Sequence, residues 1–117
     1  MKSLLIITRR PPAHLAAREA LDMALAAAAF GVQTGLLFMD DGVLQLSKGQ
    51  DAGVLQQKSL TANLEALDMY GIEDVMVCQH SLRERGLNVN QCLLAVNCVD
   101  SAQIATLLEH YSEVVSL

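Results

Sequence analysis

The chain has 117 residues, 52% of them apolar, with a mean hydropathy of +0.32 and a formal net charge of −5. That length fits one domain spanning 1–117, with enough chain to bury a core. Thirteen acidic side chains against eight Lys and Arg argue against direct nucleic-acid binding through phosphate neutralisation, and no stretch approaches the ~20 apolar residues of a membrane helix.

The apolar excess is high for a small domain. It fits a sheet covered on both faces, whose strands are apolar throughout, together with an apolar surface that a partner subunit covers. The opening Met1-Lys2-Ser3-Leu4-Leu5-Ile6-Ile7 is too short for a secretory signal and is followed by Arg9 and Arg10, so a cytoplasmic location is expected. Cys78, Cys92 and Cys98 are irregularly spaced. They form neither a disulfide framework nor a metal-binding CxxC pattern, and in a reducing compartment they are free thiols.

In chain order, Ser3 to Thr8 reads as a buried parallel strand that Arg9-Arg10-Pro11-Pro12 breaks, because proline lacks an amide donor and disfavours helix before it. A helix is predicted from Leu15 to Phe30, with Gly31 at its left-handed cap. Its half from Ala24 to Phe30 is apolar all round, so little of it should face water. Val32 to Met39 is the second strand and Asp40-Asp41-Gly42 a turn, followed by an ordered patch at Val43 to Leu46 and a polar loop from Ser47 to Gly53. Leu60, Leu64, Leu67 and Met69 have helical spacing within a helix from Leu55 to Tyr70, which Gly71 ends.

Ile72 to Cys78 is the third strand. Ser81 is expected to cap a short basic helix through Arg85, with Glu84 completing a capping box, and Gly86 stops it. After a turn at Asn88 to Gln91, Leu93 to Val99 makes a fourth strand. Asp100 or Ser101 caps a helix to His110, and Tyr111 to Leu117 supplies a final strand. This alternation predicts an α/β fold: a three-layer α/β/α sandwich around a mainly parallel five-stranded sheet, flavodoxin-like in general architecture. The strand order does not follow from the pattern.

Ligands of open α/β sheets collect at the carboxyl ends of the strands. Here those ends carry Thr8 to Arg10, Asp40-Asp41, Cys78 to Ser81 and Asn97 to Asp100. No glycine-rich phosphate loop follows the first strand, and a row of prolines cannot offer amides to a nucleotide. No cofactor is implied. Asp40 and Asp41 read as turn residues, and no metal cluster is visible.

Cys78 stands out, because a thiol at a strand end before a helix, with Arg83 and Arg85 nearby, is placed to be held as a thiolate. The competing reading is a buried cysteine packing as a small hydrophobe, which is also the reading for Cys92 and Cys98. His80, two residues on, is a partner for a Cys/His pair only if both side chains turn the same way.

Pro12 with Ala17-Arg18-Glu19-Ala20-Leu21-Asp22, then Asp41-Gly42-Val43-Leu44-Gln45-Leu46 with Gly49-Gln50, then Ser81-Leu82-Arg83-Glu84-Arg85-Gly86-Leu87 together resemble the DsrE/DsrF-like sulfur-relay family. Within it the chain is similar to the DsrF-like subunit of TusBCD-type sulfurtransferase complexes. The resemblance covers essentially the whole chain. It implies a role in 2-thiolation of the tRNA wobble uridine, in which sulfur passes as a cysteine persulfide between carrier proteins.

It also implies TusB-like and TusD-like partners in a heterohexamer, a dimer of heterotrimers, which connects to upstream and downstream sulfur carriers. The relay cysteine of the TusD-like subunit occupies the position of Cys78. For this subunit the resemblance implies a mainly structural role. Persulfide transfer through Cys78, or service in a dissimilatory sulfur-oxidation relay, are the alternatives. His80, Ser81, Arg83 and Arg85 are then expected to support the site or an interface.

Overall fold

The computed structural model describes residues 2–47, 62–92 and 95–117. Five strands form one sheet: β1 (Ser3–Thr8), β2 (Gln33–Phe38), β3 (Asp74–Cys78), β4 (Asn97–Val99) and β5 (Glu113–Ser116). They lie in the order β4-β3-β2-β1-β5 and every pairing is parallel.

Parallel neighbours need long crossovers, and right-handed crossovers put the covering helix on a face set by the direction of travel. The chain steps one way from β1 to β4, then returns across the whole sheet to place β5 beside β1. The helices therefore divide. Helix α1 (Leu15–Ala29), a 3-10 turn at Leu67–Tyr70 and α2 (Gln79–Glu84) cover one face, while α3 (Ser101–His110) covers the other.

Both faces are packed, which explains why the strands show no apolar–polar alternation. Ile6, Leu36, Phe38, Val75 and Val77 meet Ala17, Ala20, Leu21 and Ala24 of α1 on the first face. Leu5, Ile7, Leu37, Met76 and Cys78 meet Ile104 and Tyr111 on the second. The α1 residues recur at helical spacing, and alanine among them lets the helix lie close to the sheet. His14 caps α1 through Nδ1, which accepts from the Ala16 amide at 3.0 Å. Asp100 caps α3 in a reciprocal capping box with Gln103.

Several expectations change. The ordered patch at Val43 to Leu46 is helical, and the 3-10 helix also takes in Asp40 to Gly42, expected as a turn; Val43, Gln45 and Leu46 are buried. The helix expected over Leu55 to Tyr70 falls partly outside the described residues; its described end is one helical turn at 62–65 and the 3-10 turn at Leu67–Tyr70. Tightening into 3-10 geometry keeps Leu64 and Leu67 inside but turns Met69 outward, 86% exposed.

The second half of α1 also faces water in the isolated chain, where Ala26, Ala29 and Phe30 are exposed. The strand expected over Leu93 to Val99 falls partly outside the described residues; among those described, Asn97–Val99 pairs with β3. Gly31 and Gly71 end their helices with φ of 80° and 82°, the left-handed conformation that glycine adopts without Cβ strain.

Candidate functional site at the carboxyl ends of the strands

Cys78 is the last residue of β3 and the residue that caps α2, with no side-chain hydrogen bond to the helix. Its thiol turns to the α3 face among Met76, Val99 and Ile104, and the residue is 5% exposed. His80 goes the other way. Its side chain is 78% exposed and Nε2 lies 3.3 Å from Glu84 Oε1, one helical turn on. The structure does not bring Cys78 and His80 together as a hydrogen-bonded pair among the described residues.

Ser81 was expected to cap the basic helix; the helix instead starts two residues earlier, at Gln79. Ser81 is buried inside it, and its Oγ accepts from the backbone amide of Asp40 at 2.9 Å. Glu84 accordingly pairs with His80 and Arg85 instead of closing a capping box.

Asp40 has φ of 50°, a left-handed conformation that aspartate tolerates better than most residues. Arg9 Nη1 meets Asp40 Oδ2 at 2.8 Å, and Arg85 Nη2 meets Asp41 Oδ1 at 2.9 Å. The paired aspartates are thus held from two sides, by the end of β1 and by α2. Arg85 Nη1 also donates to the Ser81 carbonyl at 3.2 Å.

Reversal of the chain's direction falls between β1 and β5, the crevice where ligands of open sheets usually bind. Here Arg9 bridges the two strands. Arg9 Nε donates to Ser116 Oγ at 2.7 Å, and its amide donates to the Leu117 carbonyl at 2.9 Å. Beneath, buried Gln45 donates from Nε2 to Thr8 Oγ1 and to the Arg10 carbonyl, both at 2.9 Å. Among the described residues no group of three or more His, Cys, Asp or Glu is placed to hold a metal ion.

Cys98 and Arg83 complete the rim. Cys98 stands in register with Val77, so it points to the face opposite Cys78, and it is exposed rather than packed. Partial burial of its sulfur raises the Cys98 pKa, the neighbouring Cys78 adds to this, and Arg83 opposes it. The arginine expected beside Cys78 therefore bears on Cys98. Sequence reasoning missed the Arg9–Asp40 and Arg85–Asp41 pairs, although Arg9 and Asp40 each follow a predicted strand end, and it had no signal for Gln45.

The sequence model of the DsrE/DsrF-like family matches residues 1–117. The chain belongs to the DsrE/DsrF-like family. It is 50% identical over 117 residues to the "Protein TusC homolog" of Pseudomonas aeruginosa, covering 99% of this chain and 98% of the relative. The "Protein TusC homolog" of Vibrio vulnificus is 37% identical over 106 residues, covering 91% and 90%. The "Protein TusC" of Buchnera aphidicola is 32% identical over 100 residues, covering 85% and 84%.

Among solved structures, the ychN protein of E. coli superposes with a TM-score of 0.84 at 19% identity, covering both chains fully. A Methanobacterium thermoautotrophicum protein of unknown function superposes at 0.69 with 12% identity, again over both full chains. At these identities the two structures establish a shared fold for this DsrE/DsrF-like chain and nothing further.

Proposed function

We propose that the chain is the TusC-like subunit of a TusBCD-type sulfurtransferase complex, serving the persulfide relay that leads to 2-thiolation of the tRNA wobble uridine. The observation that carries this reading is the end-to-end match, at 50% identity, to the Pseudomonas aeruginosa TusC homolog. TusB-like and TusD-like subunits are the proposed partners, in a dimer of heterotrimers. Sulfur carriers on either side of the relay engage the complex rather than this chain alone, and the acidic surface leaves tRNA to a downstream enzyme.

Its main contribution is assembly. A persulfide carrier must present sulfur to a donor and then to an acceptor, whereas Cys78 is 5% exposed beneath the α3 face. Clamping of Asp40 and Asp41 by Arg9 and Arg85 makes the rim beside it a fixed surface suited to positioning a neighbour.

The test is made in the native host. Removal of the chain is expected to lower wobble-uridine thiolation, measured by mass spectrometry of tRNA nucleosides, while Cys78→Ser leaves both thiolation and the purified complex unchanged. Loss of thiolation in Cys78→Ser with assembly intact would transfer the persulfide-carrying role to this thiol. Normal thiolation without the chain would remove the tRNA relay and favour a sulfur-oxidation relay.

A further inference from the structure

We propose that the end of the sheet where β2 and β3 begin is a docking surface for a basic protein partner, with Phe30, Met69 and Tyr70 at its centre and an acidic rim of Asp68 and Glu73. This rests on the subunit reading above and locates one of that subunit's contacts.

The centre is apolar side chain that the fold leaves unused. Of two phenylalanines in the chain, Phe38 is fully buried while Phe30 is 88% exposed. Met69 is 86% and Tyr70 51% exposed. Phe30 caps α1 three residues before β2, and Tyr70 ends the 3-10 turn four residues before β3. That turn packs against α1. Gly35 pairs with Asp74, so β2 and β3 begin at the same end of the sheet. The three side chains thus emerge at the same end of two adjacent strands. Together they offer on the order of 400 Å², roughly half of one side of a standard interface. Aromatic residues and methionine are the types enriched at such centres.

The rim identifies the occupant. Residues 62–78 hold four carboxylates and no lysine or arginine, and residues 23–39 carry no charge. Asp68 and Glu73 are exposed, whereas the Asp74 carboxylate accepts from Tyr111 on the second face. Among the described residues, the lysine at this end of the sheet, Lys2, leads into β1 rather than β2 or β3. A second copy docking here would set acidic rim against acidic rim, and RNA or an anionic lipid surface would be repelled in the same way. A protein surface with lysine or arginine around an apolar socket complements both features.

The experiment uses the full chain, tagged and expressed in its own host, with the isolated complex weighed by native mass spectrometry. The Phe30→Asp/Met69→Asp variant changes only exposed positions, and thermal melting verifies its fold. We expect it to lose one partner subunit by at least about tenfold. The charge-reversed Asp68→Lys/Glu73→Lys variant should weaken the same contact. Carbodiimide should join Asp68 or Glu73 of the wild-type chain to a lysine of that partner. Retention of every partner by the folded Phe30→Asp/Met69→Asp variant overturns the surface while leaving the subunit reading intact. A wild-type chain that purifies alone overturns both. Cross-links only to another copy of the chain overturn the assignment to a basic partner.

Discussion

At the scale of single residues, one local dependence lies at the opposite end of β3 from Cys78. The Tyr111 hydroxyl, under the sheet's second face, donates to Asp74 Oδ2 at 3.1 Å. Burial and then the Asp74 carboxylate push the tyrosine pKa from 10.0 up to about 12. A folded-state value above the unfolded one means that the folded chain holds the proton more tightly. The resulting stabilisation is complete below pH 10.0 and is lost as pH climbs through about 12. Tyr111→Phe is expected to cost ~1 kcal/mol at neutral pH. It should also fall less steeply than the wild type across that alkaline window, which denaturant unfolding at several pH values would reveal.

Nothing in the sequence pointed to this pair, because the two residues lie 37 positions apart and meet only once β5 has crossed the sheet. Cys78 was legible as a strand-end thiol, since an apolar run ending at a polar turn fixes the strand's end. Which way the thiol turned was not legible, because pleat direction depends on which face α3 covers. Cys98 shows the same limit in reverse.

Among the elements, the regular ones were the most legible. β1 and the start of α1 fall where the apolar run and the proline break place them, because short-range sterics decide both. The irregular ones were decided by tertiary contact. Ser81 followed by Glu84 three residues on satisfies a capping-box pattern, yet the serine is a buried acceptor for Asp40, and the helix starts without a side-chain cap.

The 3-10 helix at Asp40–Leu46 looked like a turn because Asp-Asp-Gly has turn chemistry. Gly42 is there for a different reason. A Cβ on it would overlap the Thr8 carbonyl group, with the carbonyl carbon at 2.8 Å. That obstacle is strand backbone and cannot swing aside. Gly42→Ala is expected to destabilise by about 3 kcal/mol, at the upper end of overpacking costs, and chemical denaturation would measure it. The same change would shift Asp41 away from Arg85, so loss of stability and loss of rim geometry should appear together.

For the molecule as a whole, the α/β sandwich followed from the alternation of elements, and the strand order did not, because periodicity carries no record of which strand becomes whose neighbour. The order has a consequence for how the chain is made. β1 is synthesised about a hundred residues before β5, yet one of its two edges is covered by β5. The seal includes reciprocal hydrogen bonds between Ser3 and Ser112, 109 residues apart.

Until residues 112–116 have been made, Leu4-Leu5-Ile6-Ile7 presents an apolar strand edge of the kind that recruits other chains. The growing polypeptide is therefore prone to aggregate while that edge is open, and distant closure of this kind is slow. Deleting residues 112–117 is expected to send most of the product from the soluble to the insoluble fraction, as sedimentation of the expressed protein would show. A stalling event between β4 and β5 would leave four strands assembled with the edge of β1 still open.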